Sequence, residues 1–264
     1  PDAGHLLHMP THVDVLCGDY MNVVLRNDAA IAADSKFLER EGPDNFYSVY
    51  RAHNYHFKIY GAMFLGQPSA ALKAAEDLIS TLPTETLKPM ADWFEGFIPM
   101  KQHVLIRFGR WQDILDQALP EDEELYSVTL AMMRYARTVA FANTQQIDAA
   151  HTERDRFYEA RDKVPESRML FNNTCRDILG VAEQMMLGEL AYKKGDHAAA
   201  FDYLKRSITL DDNLPYDEPW GWMQPTRHAL GALLLDQGHY GEAEAVYRAD
   251  LGLDATLSRA CQHP

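Results

Sequence analysis

The 264-residue chain is 47% hydrophobic, enough apolar content to bury a substantial core, and this excludes global disorder. Its 25 basic and 39 acidic side chains give a net charge of -14, which repels phosphate backbones and anionic lipid, so no nucleic acid and no membrane is expected as a partner. No apolar run reaches the ~18–20 residues of a spanning helix, no basic-then-apolar leader opens the chain, and Cys17, Cys175 and Cys261 form no CxxC pair, which fits a reducing, cytoplasmic setting.

Along the chain, a short phrase recurs: a turn residue, usually glycine, then a polar residue, a bulky one and an alanine-rich amphipathic stretch. It begins at Gly18, Gly66, Gly109, Gln145, Gly195 and Gly238, with separations of 48, 43, 36, 50 and 43 residues. Each phrase splits a pair of helices. The first members (A) are expected over 4–17, 46–65, 90–108, 122–142, 168–194 and 220–237, and the second members (B) over 20–38, 69–81, 111–118, 145–163, 197–210 and 239–250. Pro43, Pro83, Pro120 and Pro165 each follow a B helix and cannot continue it. No strand pattern is evident. The chain opens on Pro1 and ends at Pro264 without a helix cap, so 1–264 is expected to be a single domain within a longer polypeptide.

The last two phrases are the most specific. Leu187-Gly188 precedes Gly195 and Leu230-Gly231 precedes Gly238 by the same interval; Ala200 and Ala243 follow, then Leu204 and Tyr247. Small residues at these positions let two helices approach, and the bulky ones fill the groove beside them. The pattern resembles the tetratricopeptide repeat (TPR), with a period looser than the usual ~34 residues. The resemblance implies an all-α, right-handed α-α superhelix of about six hairpins whose A helices line a concave face, and most such arrays bind a peptide or partner protein there.

Seven of eleven histidines fall on the expected A helices. His8 and His12 stand at i and i+4, His53 and His56 at i and i+3, so each pair shares a helix face and two neighbouring A helices can bring four imidazoles to one ion. The plainer alternative is four polar side chains satisfied by hydrogen bonds or facing a peptide. Pro10, Pro99 and Pro225 sit shortly before His12, His103 and His228; each either bends a helix or marks a helix start.

The stretch 217–228 concentrates an acid, two indoles, an amide, a cation and an imidazole. Trp220, Trp222 and Gln224 are candidate substrate contacts, Arg227 and His228 candidate catalytic groups, with His228 also a possible fifth ligand. Trp93 and Glu95, Arg134 and Tyr135, and Asn172, Asn173 and Arg176 would complete a wall around a small molecule; packing is the competing role for each tryptophan. The phrases around His8-Met9-Pro10-Thr11-His12, His53-Asn54-Tyr55-His56-Phe57 and Glu218-Pro219-Trp220 also resemble a group of TPR-like proteins of bacteria and fungi, a likeness that lends no activity and implies only that the histidines act as a set.

The leading expectation is therefore a metal-dependent enzyme. Its imidazole-rich site on the concave face would hold Cu, Fe or Zn through His8, His12, His53 and His56 and act on a small organic substrate, with oxidative chemistry favoured over hydrolysis. The alternatives are a non-catalytic scaffold for a peptide or protein, and a metal that only staples the first two hairpins.

Overall fold

The computed structural model describes residues 2–253. Helices pack in consecutive pairs along the chain, as the spacing of the turn phrases predicts: α1 (Gly4–His8) and α2 (Thr11–Leu16) against α3 (Tyr20–Glu41), then α4 (Tyr47–Phe64) against α5 (Pro68–Ser80). A run of short pieces follows: α6 (Thr84–Leu87), α7 (Ala91–Phe94) and α8 (Met100–Arg107), with 3-10 turns at Lys88–Met90 and Glu95–Phe97, and α8 meets α9 (Trp111–Leu115). The remaining pairs are α10 (Ser127–Asn143) with α11 (Ile147–Asp162), α12 (Cys175–Lys193) with α13 (His197–Asp212), and α14 (Thr226–Asp236) with α15 (Tyr240–Asp250).

The turn phrases work through backbone geometry. Gly18, Gly66, Gly109, Gly195 and Gly238 all hold φ between 63° and 84°, the left-handed region that reverses the chain, and Asp19 and Asp196 then accept from the backbone N–H three residues on to start the next helix. Gln145 takes the same conformation, φ 62°, which identifies the fourth turn despite its missing glycine. In the last two hairpins, a Cβ on Gly188 would meet Leu204 Cγ at 2.8 Å and one on Gly231 would meet the Tyr247 ring at 2.5 Å, so both glycines set the closeness of their helix pairs. Gly188→Ala is expected to cost about 1–3 kcal/mol by overpacking and to lower Tm by several degrees in a thermal melt; an unchanged Tm would show that the pair relaxes freely.

Several expected helices are broken, each for a local reason. The expected 4–17 helix divides at Met9, and Pro10, Pro99 and Pro225 each prove to be N-cap residues, of α2, α8 and α14, so none bends a helix from within. The expected 122–142 helix starts at Ser127. The expected 168–194 helix starts only at Cys175, capped by Thr174. Before it, Met169–Leu170 pairs antiparallel with Asn173–Thr174, a small hairpin that overturns the expectation of no strand. Asn172, Asn173 and Thr174 favour turns and caps over helix interior, and at the tip Phe171 has φ 49°.

The expected 220–237 helix also shortens, to start at Thr226. Pro215, Pro219 and Pro225 keep residues 213–225 irregular, and this strap runs back across the first helices of earlier pairs: Trp220 lies beside Tyr60 of α4, and Trp222 lies between His103 of α8 and Tyr135 of α10. Trp220, Trp222 and Met223 are buried in the main hydrophobic core, which extends from Val15 to Met223. A smaller core joins Leu204, Leu230, Leu234 and Ala243. No helix of the described residues is long and apolar enough to cross a membrane.

Candidate metal centre

The break at Met9-Pro10 sets His8 at the end of α1 and His12 in the first turn of α2, and the Thr11 hydroxyl donates to the His8 carbonyl at 2.7 Å to hold the junction. The two imidazoles meet Nε2 to Nε2 at 3.0 Å. His53 of α4 brings a third ring, its centroid 4.8 Å from that of His8 and 5.6 Å from that of His12. One ligand atom from each of the three lies within 4.8 Å of the others. Phe57, one turn further along α4, packs edge-on or tilted against all three rings and walls them off with hydrocarbon.

The outer nitrogens of the first two rings are held. Asn27 Nδ2 donates to the Val23 carbonyl at 2.7 Å, which turns its Oδ1 toward His8 Nδ1 at 2.8 Å, so that nitrogen carries the proton. On His12, Nδ1 faces the Glu218 carboxylate in a short contact, and Glu218 also accepts from the Tyr216 hydroxyl. With both Nδ1 atoms protonated, neutral His8 and His12 direct lone pairs at each other from Nε2. Two lone pairs 3.0 Å apart repel, and a cation placed between them, a metal ion or a proton, removes that repulsion.

Burial disfavours the proton on the deeper rings. It pushes His8 down to about 4 and His53 well below the usual imidazole range, with the neighbouring histidines adding to the effect. Neutral imidazole is the metal-binding form. His53 Nδ1 is buried and has no hydrogen-bond partner among the described residues. Three nitrogens on one tetrahedral ion stand about 3.3 Å apart, so the arrangement needs only small ring movements to ligate.

The other residues singled out by sequence are placed differently. His56 is fully buried on the far side of His53, its ring centroid 6.3 Å away and its Nε2 2.8 Å from Met223 Sδ, outside the trio. Arg227 forms a two-point ion pair with Asp212, and His228 pairs with Asp250 at 3.1 Å beside Phe64 and Tyr247. Neither approaches the three imidazoles, because α14 begins six residues later than the sequence predicts. Trp220, Trp222 and Tyr135 are core residues, and Gln224 bridges the His103 carbonyl and Arg107.

Asn172 and Asn173 hold Asp217, and Arg176 holds the Val164 carbonyl and Glu166. Glu95 accepts from the Thr129 backbone and Arg134 pairs with Glu153. Trp93 stays largely exposed. Sequence reading gave no role to Asn27, Glu218 or Phe57. Glu218 and Phe57 carried one signal, as parts of the phrases that resemble the bacterial and fungal group; Asn27 carried none.

A family model for the tetratricopeptide repeat matches residues 184–214, the second half of α12 and all of α13. With the consecutive pairing of helices, this makes the chain a TPR-like repeat protein with an all-α superhelical fold. TPR repeats commonly mediate protein or peptide binding. No curated protein matches the chain, and no solved structure matches it.

Proposed function

We propose that His8, His12 and His53 bind one transition-metal ion and that this ion serves catalysis on a small organic substrate. The observation that carries the proposal is the Nε2–Nε2 approach of 3.0 Å between two rings whose other nitrogens are already committed to Asn27 and Glu218. Such outer partners fix ring orientation and raise donor strength at metal sites. An all-imidazole donor set suits Cu, Zn or Fe, and three protein ligands leave a coordination position open, as catalytic sites do and closed structural sites do not. The absence of a carboxylate in the trio favours the redox metals over magnesium or calcium.

The matched repeat favours a second reading, a scaffold for a protein or peptide. Against it stands the strap 213–225, which sets Trp220, Trp222 and Met223 against the first helices of the early hairpins, where a TPR array would otherwise take an extended partner.

Metal-free protein is expected to take up one equivalent of Co(II), Cu(II) or Zn(II) in a spectroscopic titration, and Glu218→Gln to weaken uptake about 10–100-fold while the fold persists. If no metal binds to the unmodified protein, the metal reading falls and the scaffold reading stands.

A further inference from the structure

A cavity of about 440 Å³ opens on the side of Phe171 away from His53, lined by Phe46, Val49 and Tyr50 around the start of α4, Met90 and Trp93 ahead of α8, and the two rings of Phe97 and Phe171. Apart from the Tyr50 hydroxyl, every lining side chain is apolar or an indole, and none is charged. The volume falls in the range of small-molecule sites. Phe46 and Trp93, 67% and 59% exposed, form the outer rim. Phe171 and Phe97 form the inner wall: Phe171 packs against His53 with centroids 4.6 Å apart, and Phe97 packs edge-on against Phe171 at 5.3 Å and against His56 at 5.5 Å. One phenyl ring thus separates the cavity from a member of the imidazole trio.

That ring is held in an unusual way. Phe171 sits at φ 49°, in the left-handed region that bulky side chains rarely take. The hairpin tip is fixed by Asp217, which accepts from the Asn172 backbone at 3.0 Å, the Asn172 amide at 2.9 Å and the Asn173 amide at 2.6 Å. Asp217 directly precedes Glu218, the partner of His12. The hairpin that carries Phe171 is thus tied, through Asn172, Asn173 and Asp217, to the backbone that carries Glu218, so the cavity wall touches the trio directly at His53 and is linked to it by hydrogen bonds on the Glu218 side.

We infer that this cavity is the substrate pocket of the centre and that it selects an uncharged aromatic molecule, stacked among Trp93, Phe97 and Phe171 with the Tyr50 hydroxyl and the Trp93 indole N–H as its hydrogen-bonding groups. An uncharged guest follows from the lining: a buried charge there would find no counter-charge among the lining side chains, whereas an aromatic ring gains by edge-to-face or stacked contact with the five aromatic side chains of the lining. This inference rests on the metal reading for its chemistry but not for the pocket itself.

The test uses N-phenyl-1-naphthylamine, an uncharged aromatic amine whose fluorescence rises in an apolar site, with the whole protein in metal-free and Co(II)-loaded forms. The dye is expected to bind in both forms, to bind at least tenfold more weakly to Val49→Trp, which fills the cavity, and to Met90→Glu, which charges it, and to shift the visible absorption of bound Co(II). Failure to bind, or binding that both variants leave unchanged, overturns the pocket while Co(II) uptake still supports the metal reading. Dye binding that the variants abolish but that leaves the Co(II) spectrum untouched overturns the link between pocket and centre. Binding without any Co(II) uptake removes the metal reading, and that link with it. Binding that weakens as protein concentration rises, together with dimerisation, overturns the inference by giving the face to a second copy of the chain.

Discussion

His12→Ala is expected to weaken binding of Zn(II) or Cu(II) by roughly 100-fold or more, since outer-shell partners alone are worth 10–100-fold and His12 is a direct donor. The variant is chosen because its side chain is 26% exposed, whereas His8 is fully buried and His53 nearly so; its removal leaves little cavity and the fold persists. The linked effect on stability gives a second readout. A metal present at 100 times its Kd stabilises the folded chain by about 2.7 kcal/mol, and for a chain of this size that raises Tm by about 5–10 °C. The unmodified protein is expected to show that rise in a thermal melt and His12→Ala to show none at the same metal concentration. An equal rise in both would place the ion elsewhere.

In metal-free protein the contribution of the buried histidines to stability is expected to be lost as pH falls from about 6.5 toward 4. His103 is buried against Trp222, and burial alone pushes it down to about 4; His56 is pushed to about 3, mainly by burial, and His8 to about 4. In the unfolded chain each titrates near 6.5, so within this window the unfolded state takes up protons that the folded state refuses. The stabilising difference is fully present above 6.5 and is lost as pH falls toward the folded values. Asp211 and Asp217, raised by burial to about 7 and about 6, act in the opposite sense because the fold keeps their protons, as do Asp34, Glu95 and Glu189, whose carboxyls burial also raises; His53, pushed well down by burial, adds to the histidine side.

The contribution of one group is read by difference. A gap of about two and a half pH units is worth about 3 kcal/mol. His103→Leu is accordingly expected to remove about 10 °C from the fall in Tm between pH 6.5 and 4. A pH profile parallel to that of the unmodified chain would show that His103 is protonated without cost in the fold.

The repeat was legible wherever a residue type was forced by local geometry. A left-handed turn followed by a cap selects Gly-Asp, as at Gly18-Asp19 and Gly195-Asp196, and close helix approach selects Gly188 and Gly231, so these features appear in the sequence as spacing. Helix ends were less legible. The apolar residues Met169, Leu170 and Phe171 and Trp220, Trp222 and Met223 outweigh the local signals against helix at Asn172, Asn173 and Pro219, and it is the tertiary contacts, Asp217 holding Asn172 and Asn173, and Trp222 seated against His103, that show where the non-helical backbone goes.

The same limit applied to the centre. His8 and His12 share a face by spacing, but nothing local says that His53 rather than His56 would turn toward them. The partner on Glu218 lies 206 residues away from His12, a separation that no periodicity encodes. The expected roles of Arg227 and His228 depended on a helix beginning at 220. With its start at Thr226, both side chains face acidic partners, Asp212 and Asp250, instead.

The strap also bears on when the protein can be completed on the ribosome. A simple repeat array can add one finished hairpin at a time, because each touches only its neighbours. Here Trp220, Trp222 and Met223 plug the interior of hairpins that emerged long before, and the His12–Glu218 contact waits for those 206 residues of synthesis, roughly 10–40 s at ordinary elongation rates. Until then the first hairpins carry an open seam of apolar surface and a pair of histidines without their carboxylate. Closing of that seam by the strap joins residues 213–225 to the first hairpins and to His12.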